Sequence, residues 1–246
     1  AGWLARQRAH VLATDARPAA DFAAGVVGEL EAQGVQLELG GHVRDSFTSA
    51  DLVAVTRRAA PSLPPGNIIG EPFGRDTAAV CALASALVRA RNPAASFCIL
   101  TADHIVKNVP RFQRTLREGF RVAMRDDVLL TIGITPTSPN TGFGYIETSR
   151  PLEDRGRVSF FKARRFVEKP DLKTARRYVK SGRFFWNAGM FIWSLASFRR
   201  ALGRHAPQLL KMADRMEPVA GRPGFNRRLA AEYAKLEKIS VDYALM

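Results

Sequence analysis

Hydrophobic positions along the chain alternate between two periods, and each switch marks an element. The run HVLATD at residues 10–15 is apolar and ends in an acid, so it reads as a buried strand. Phe22, Val26, Val27 and Leu30 recur at helical spacing, which predicts a helix over residues 21–33 stopped by Gly34. Residues 35–39 alternate like a strand and residues 51–56 read as another. A proline-rich connector follows at 57–65, then a short strand at 68–69. The next helix opens with Asp76 or Thr77 as its N-cap. Residues 96–100 and 128–134 read as strands on either side of an amphipathic helix over 110–125. Two runs at 158–163 and 165–167 pair plausibly as strands around the TGFGYIE segment. Asp171 caps a helix that carries Leu172, Ala175 and Val179 on one face and ends at Ser181-Gly182. Trp186-Asn187-Ala188-Gly189 then reads as a loop before a strand at 190–193. Helices are expected from 196 and over 225–236, and residues 239–246 close the chain in a strand-like apolar setting. Strands alternating with helices predict an α/β fold.

Composition narrows this picture. With 46% hydrophobic residues in 246, the chain can bury a sizeable core. No apolar run reaches the length of a membrane span, and AGWLARQRAH lacks the apolar centre of a signal peptide. Cys81 and Cys98 sit in apolar contexts without metal-like spacing, as expected of buried thiols in a reducing cytoplasm. The formal net charge is +14. The basic residues are mostly arginines spread along helical stretches, a pattern that solvates helix faces or draws in phosphorylated small molecules rather than nucleic acid.

Several polar groups fall where strands end, the place where α/β proteins keep their ligands. Glu168-Lys169 follow the strand at 165–167, and Asn187 and Gly189 precede the strand at 190–193. Asp103 ends the strand at 96–100, where it could hold Mg²⁺ beside phosphates or merely cap the next segment. Asp242 is a second isolated acid in an apolar setting, and a metal shared with Asp103 would give it a partner. The loop EPFGRDT, from Glu71 and Pro72 through Gly74, Arg75, Asp76 and Thr77, reads either as a phosphate or nucleobase site or as an ordinary helix cap. Gly142 and Gly144 let the backbone approach a ligand near Tyr145, or simply form a tight turn.

The blocks IIGEPFGRDTAA, LTADH, TPTSPNTGFGYIE, RFVEKPDLKTARRYVKSG, FWNAGMFIW and ISVDYALM occur in order over residues 55–246. In them the chain resembles the sugar nucleotidyltransferases, and within these the mannose-1-phosphate guanylyltransferases. The resemblance implies a Rossmann-like mixed, mainly parallel sheet with helices on both faces. It also implies transfer of GMP from GTP to mannose 1-phosphate with Mg²⁺ as cofactor, no nucleic-acid or membrane partner, and compatibility with a homo-oligomer. Carried over by position, Glu71, Pro72, Gly74, Arg75, Asp76 and Thr77 would lie against the nucleotide. Asp103 and Asp242 would hold the metal and Lys169 the sugar phosphate. Gly144, Tyr145, Glu168, Asn187 and Gly189 would contact the sugar. Asp76, Ala102 and Phe143 stand where Asn, Ser and Tyr are usual.

The family's glycine-rich Gly-Gly-x-Gly-x-Arg loop is not found in these 246 residues. In its place, ARQRAHVLATDARPAADF, ELEAQGVQLELGGH and SADLVAV resemble the N-terminal domain of the ligase that adds D-glutamate to UDP-N-acetylmuramoyl-L-alanine, with Asp15 and Arg17 matching its uracil contacts. The chain therefore reads as a ligase-like segment, 1–54, packed on or completing the sheet of a transferase domain, 55–246, that is truncated at both ends. A remnant that only binds sugar phosphates or sugar nucleotides, and a UDP-sugar-binding fragment, are the alternatives.

Overall fold

The computed structural model describes residues 11–15, 35–39, 53, 56–58, 61, 64–101, 104–155 and 158–245. They divide into two compact units, Ala1–Phe73 and Gly74–Met246.

In the first unit, β1 (Val11–Asp15) and β2 (Val35–Leu39) pair in parallel, with Val11 opposite Val35 and Asp15 opposite Leu39. Of the strand expected over 51–56, only Val53 and Thr56 are among the described residues, and neither is in a strand. Val53 and residues 56–58 are helical. The ligase-like reading of Arg17 lies outside the described residues.

The second unit is built around β7 (Phe184–Ser194). Its neighbours are β3 (Ser96–Ile99), β4 (Leu129–Ile134) and β5 (Tyr145–Arg155), and all three run antiparallel to it. Trp193 lies between Phe97 and Leu129, and Trp186 between Tyr145 and Ile134. So β4 follows one edge of β7 while β3 and β5 share the other. A hairpin joins β5 to β6 (Val158–Val167), which is also antiparallel. The expectation of a mainly parallel sheet is thus corrected. Among the described residues only β1 and β2 are paired in parallel, because β7 enters the larger sheet against the direction of its neighbours. β7 is also longer than expected, since Trp186-Asn187-Ala188-Gly189 belongs to the strand and is not a loop.

Helices cover both faces of this sheet, as expected. Ile192 and Trp193 are successive and point to opposite sides. On one side, α2 (Val109–Arg125) packs so closely that a Cβ at Gly119 would lie 2.4 Å from Ile192 Cδ1. On the other, Trp193 stacks on Phe198 of α4 (Leu195–His205) at 4.5 Å between centroids and meets the edge of Phe97. Helix α1 (Asp76–Arg91) buries Ala78, Ala79, Ala82 and Ala86, small side chains that admit close helix packing against α5 (Pro207–Met216). Its expected side-chain cap is absent, and Arg75 occupies the cap position.

Helix α3 (Leu172–Ser181) follows the sequence signals closely. Asp171 accepts the Thr174 N–H at its start, and Gly182 ends it at φ 66°. Helix α6 (Phe225–Tyr233) leads to the closing segment, where a short helix α7 (Val241–Leu245) replaces the expected strand. Ser240 accepts the Tyr243 N–H with its hydroxyl and the Ala244 N–H with its carbonyl, which turns the chain. Among the described residues, no helix is long and apolar enough to cross a membrane.

Candidate active site

The turn between β6 and α3 holds Glu168 and Lys169 in a fixed frame. Pro170 is buried behind them and Asp171 is tied into the helix cap. Lys169 has φ 43°, in the left-handed region that non-glycine residues seldom enter, and its Nζ lies 3.7 Å from Glu168 Oε1. Both side chains are exposed. Gly144, at the start of β5, faces them directly. A Cβ there would sit 2.7 Å from Glu168 Oε2 and 3.6 Å from Asn187 Cβ, and Asn187 N donates to Gly144 O at 2.8 Å. A side chain at this position would occupy the space between Glu168 and Asn187.

Tyr145 behaves differently. Its ring is wholly buried with Ala175, Tyr178 and Phe184, and its hydroxyl donates to Asn140 O at 2.8 Å. Its ring is committed to the core, which leaves backbone atoms as what it can offer a ligand.

Asn187 connects this group to the C-terminal acid. Its Nδ2 donates to Asp242 Oδ1 at 2.8 Å, while its Oδ1 accepts from Gly189 N at 3.2 Å and Thr131 Oγ1 at 3.3 Å. Gly189, at φ 62°, makes the bend that brings its N–H back to the Asn187 side chain, and a Cβ there would face Thr101 Cγ2 at 3.5 Å. Burial pushes the Asp242 carboxyl above its ordinary range. The Asn187 hydrogen bond opposes this, while the charges of Glu168 and Asp76 add to it. The three acids therefore share one electrostatic neighbourhood.

The residues at the start of α1 are used as framework. Thr77 Oγ1 accepts the Val241 N–H at 2.9 Å, Ala78 N donates to Ile239 O, and Ile239 N donates to Arg75 O. Arg75 Nε donates to Tyr233 O at 3.1 Å. Asp76 has φ 63°, and its Oδ1 accepts the Thr77 N–H at 2.7 Å. Asp and Asn are the residues that tolerate this left-handed conformation best after glycine, which accounts for either at this position. Gly74 is exposed with open space above its Cα. Glu71 and Pro72 are half-buried in the first unit, and Asp103 lies outside the described residues.

Thr131 and Thr101 escaped sequence reasoning. Thr131 is the one polar side chain in the apolar strand LLTIGI, a signal that could have singled it out. Thr101 Oγ1 lies 2.6 Å from His104 Nδ1, at the end of the chain segment that continues β3.

Residues 54–218 match the family described as Nucleotidyl transferase. The chain belongs to that family. The chain is 32% identical over 183 residues to a mannose-1-phosphate guanylyltransferase of Escherichia coli, the match covering 73% of the chain and 39% of that protein. It is 34% identical over 181 residues to one of Klebsiella pneumoniae, covering 73% and 38%. A solved protein of Thermus thermophilus, described as a mannose-1-phosphate geranyltransferase, has a TM-score of 0.66 at 30% identity, covering 80% of the chain and 53% of that structure. The chain thus spans about two-fifths of the length of the curated relatives it matches. The family match begins at residue 54, so the ligase-like reading of residues 1–54 stands on sequence alone.

Proposed function

We propose that the chain carries the site for transfer of GMP from GTP to mannose 1-phosphate, giving GDP-mannose and pyrophosphate. The observation that carries this reading is the convergence of Gly144, Glu168, Asn187 and Asp242, supported by the similarity to mannose-1-phosphate guanylyltransferases. A phosphate oxygen of mannose 1-phosphate attacks the α-phosphorus of GTP, and the bond to the pyrophosphate oxygen breaks. No protein nucleophile is needed, so the residues act by positioning two anions and offsetting their charge.

Glu168 accepts hydrogen bonds from mannose hydroxyls beside Gly144, where the missing side chain leaves room for the ring. Gly189 and Asn187 border the same sugar, and Tyr145 does so through its backbone. Lys169 offsets the sugar phosphate, at a backbone angle that Pro170 and Asp171 hold in place. Gly74, Arg75, Asp76 and Thr77 form the nucleotide side, where the exposed Gly74 admits close approach.

Asp103 and Asp242 are the residues that would hold Mg²⁺. Asp242 is a half-buried hard oxygen donor that feels the charges of Glu168 and Asp76, the donor chemistry that a divalent cation takes. When bound, the ion neutralises phosphate charge during the transfer. Pyrophosphate release from GTP, mannose 1-phosphate and Mg²⁺ tests the reading, with Glu168→Gln and Asp242→Asn as controls. Turnover that both substitutions abolish supports it. Saturable GDP-mannose binding without pyrophosphate release would replace it with a binding-only role.

A further inference from the structure

We propose that the gap between the open edges of β4 and β6 receives an extended segment of a partner protein that carries an acidic side chain. Strands β4, β7, β5 and β6 are paired in that order, so β4 and β6 are the two ends of the run. Among the described residues each of them has one strand partner, and its other edge is open. Both ends line one cavity of about 430 Å³. Residues 129–133 of β4 and 158–161 of β6 line it without a break. Successive residues of a strand point to opposite faces, so a cavity on a sheet face would meet every second one. Unbroken contact means that the cavity runs along the edges themselves, where unpaired N–H and C=O groups lie. The sheet therefore curls until its two open edges confront each other across this space. None of Gly144, Glu168, Asn187 and Asp242 lines it, which sets it apart from the candidate active site.

The lining says what fills the space. Ile146, Phe185 and Ile192 supply apolar contact, and the exposed ring of Phe161 lies 5.5 Å from that of Phe185 between centroids. A strand laid between the edges pairs its main chain with theirs and sets alternate side chains against these groups. Residues 129–133 span about 13 Å at about 3.3 Å per residue, which matches a segment of about five residues. The β4 sequence LLTIGI holds no charge and no proline, the devices that protect an edge left in solvent, which marks this edge as one that is covered. Arg111 reaches the cavity from α2 as the charged side chain of its lining, and no Asp or Glu is among the described residues there. None of the ion pairs among the described residues uses Arg111. An acid on the entering segment supplies that counter-charge. A second copy of the chain fits less well. Pairing through its own β4 would bring LLTIGI, which has no carboxylate, together with another formal charge of +14.

Random heptapeptides displayed on phage and panned against the whole chain test this without catalysis. Ala163→Trp fills the cavity from an exposed position on β6, and that variant serves as the counter-selection. Ser159→Trp takes its place if the first variant does not fold, which circular dichroism reports. Enriched sequences are expected to alternate apolar residues and to share an Asp or Glu. The best of them, labelled with fluorescein and followed by anisotropy, is expected to bind the wild type saturably and the filled variant at least about tenfold more weakly. Arg111→Gln should weaken the same peptide by about tenfold and leave unchanged an analogue with Gln in place of the acid. Methylating the peptide's backbone nitrogens should abolish binding, because it removes the main-chain donors. No enrichment over the counter-selection would overturn the inference. So would a selected peptide whose binding survives cavity filling or methylation. Equal binding to Arg111→Gln would overturn the acidic partner. A wild type that dimerises in sedimentation equilibrium, beside a monomeric filled variant, would assign the gap to a second copy instead.

Discussion

Thr77 Oγ1 accepts the backbone N–H of Val241 at 2.9 Å, a contact that joins positions 164 apart in the chain. It fastens the start of α1 to the start of α7, one residue before Asp242. Val241 is fully buried, so its N–H has no ready substitute for this acceptor. Thr77→Val is expected to destabilise the fold by about 1–3 kcal/mol, the cost of a buried donor left without an acceptor. At this size that lowers the melting temperature by several degrees, at about 2–4 °C per kcal/mol. Thr77→Ser should melt like the wild type. A valine variant that also melts like the wild type would show that the contact contributes nothing.

Gly144→Ala separates folding from ligand binding. Its new Cβ would come within 2.7 Å of Glu168 Oε2, the far end of a flexible and exposed side chain that can move aside. The fold should therefore survive while the space between Glu168 and Asn187 closes. Calorimetry with GDP-mannose is expected to show binding weakened by at least about tenfold, ~1.4 kcal/mol, with little change in melting temperature. Tighter or equal binding would remove Gly144 from the sugar site.

Two other glycines distinguish kinds of steric conflict. At Gly119 the added methyl meets Ile192 Cδ1, the tip of a side chain, and alanine recovers about 1 kcal/mol of helix propensity. At Gly133 it meets Phe185 Cβ at 2.8 Å, an atom fixed to the backbone of the neighbouring strand. Gly133→Ala should cost about 2–3 kcal/mol and Gly119→Ala clearly less. Urea unfolding of the two variants measures the order, and the reverse order would contradict this packing argument.

The pair of Glu147 and Arg165 carries a pH dependence. The Arg165 hydrogen bond, at 2.6 Å, and its charge hold the Glu147 carboxyl below its ordinary range. A depressed carboxyl contributes stability that is present above its unfolded value, about 4.3 for glutamate, and is lost as pH falls through the folded value. Arg165→Gln should therefore be less stable than the wild type at neutral pH. The gap should narrow on acidification below the carboxylate range. Urea midpoints across pH follow it, and a gap independent of pH would mean that Arg165 acts by packing alone.

What the sequence made legible is what neighbours in the chain decide. Asp171 and Gly182 bound α3 because a cap and a left-handed stop need only the residues beside them. Glu168 and Lys169 stand out as polar groups at a strand end for the same reason. The misreadings share a different cause. Residues 184–189 lie in a strand because Trp186 has partners at Ile134 and Tyr145, and no local pattern reports that. Residues 241–245 are helical where their apolar spacing suggested a strand, in a segment fastened to Thr77 and Ala78. Strand direction in the larger sheet is likewise set by which chain segments meet. The bond of Asn187 to Asp242 spans 55 positions and becomes visible only once the chain is folded.

The central place of β7 has a consequence for the order of events during synthesis. Ser96 pairs with Ser194, Leu129 with Trp193 and Tyr145 with Trp186, so β3, β4 and β5 must wait for a strand translated after all of them. Within the larger sheet, among the described residues, the β5–β6 hairpin is the pairing that can close beforehand. A nascent chain that has emerged as far as α3 thus exposes Phe97, Ile99, Leu129 and Leu130 on strands without their partner, which makes the interval before β7 emerges the period of greatest exposure to aggregation.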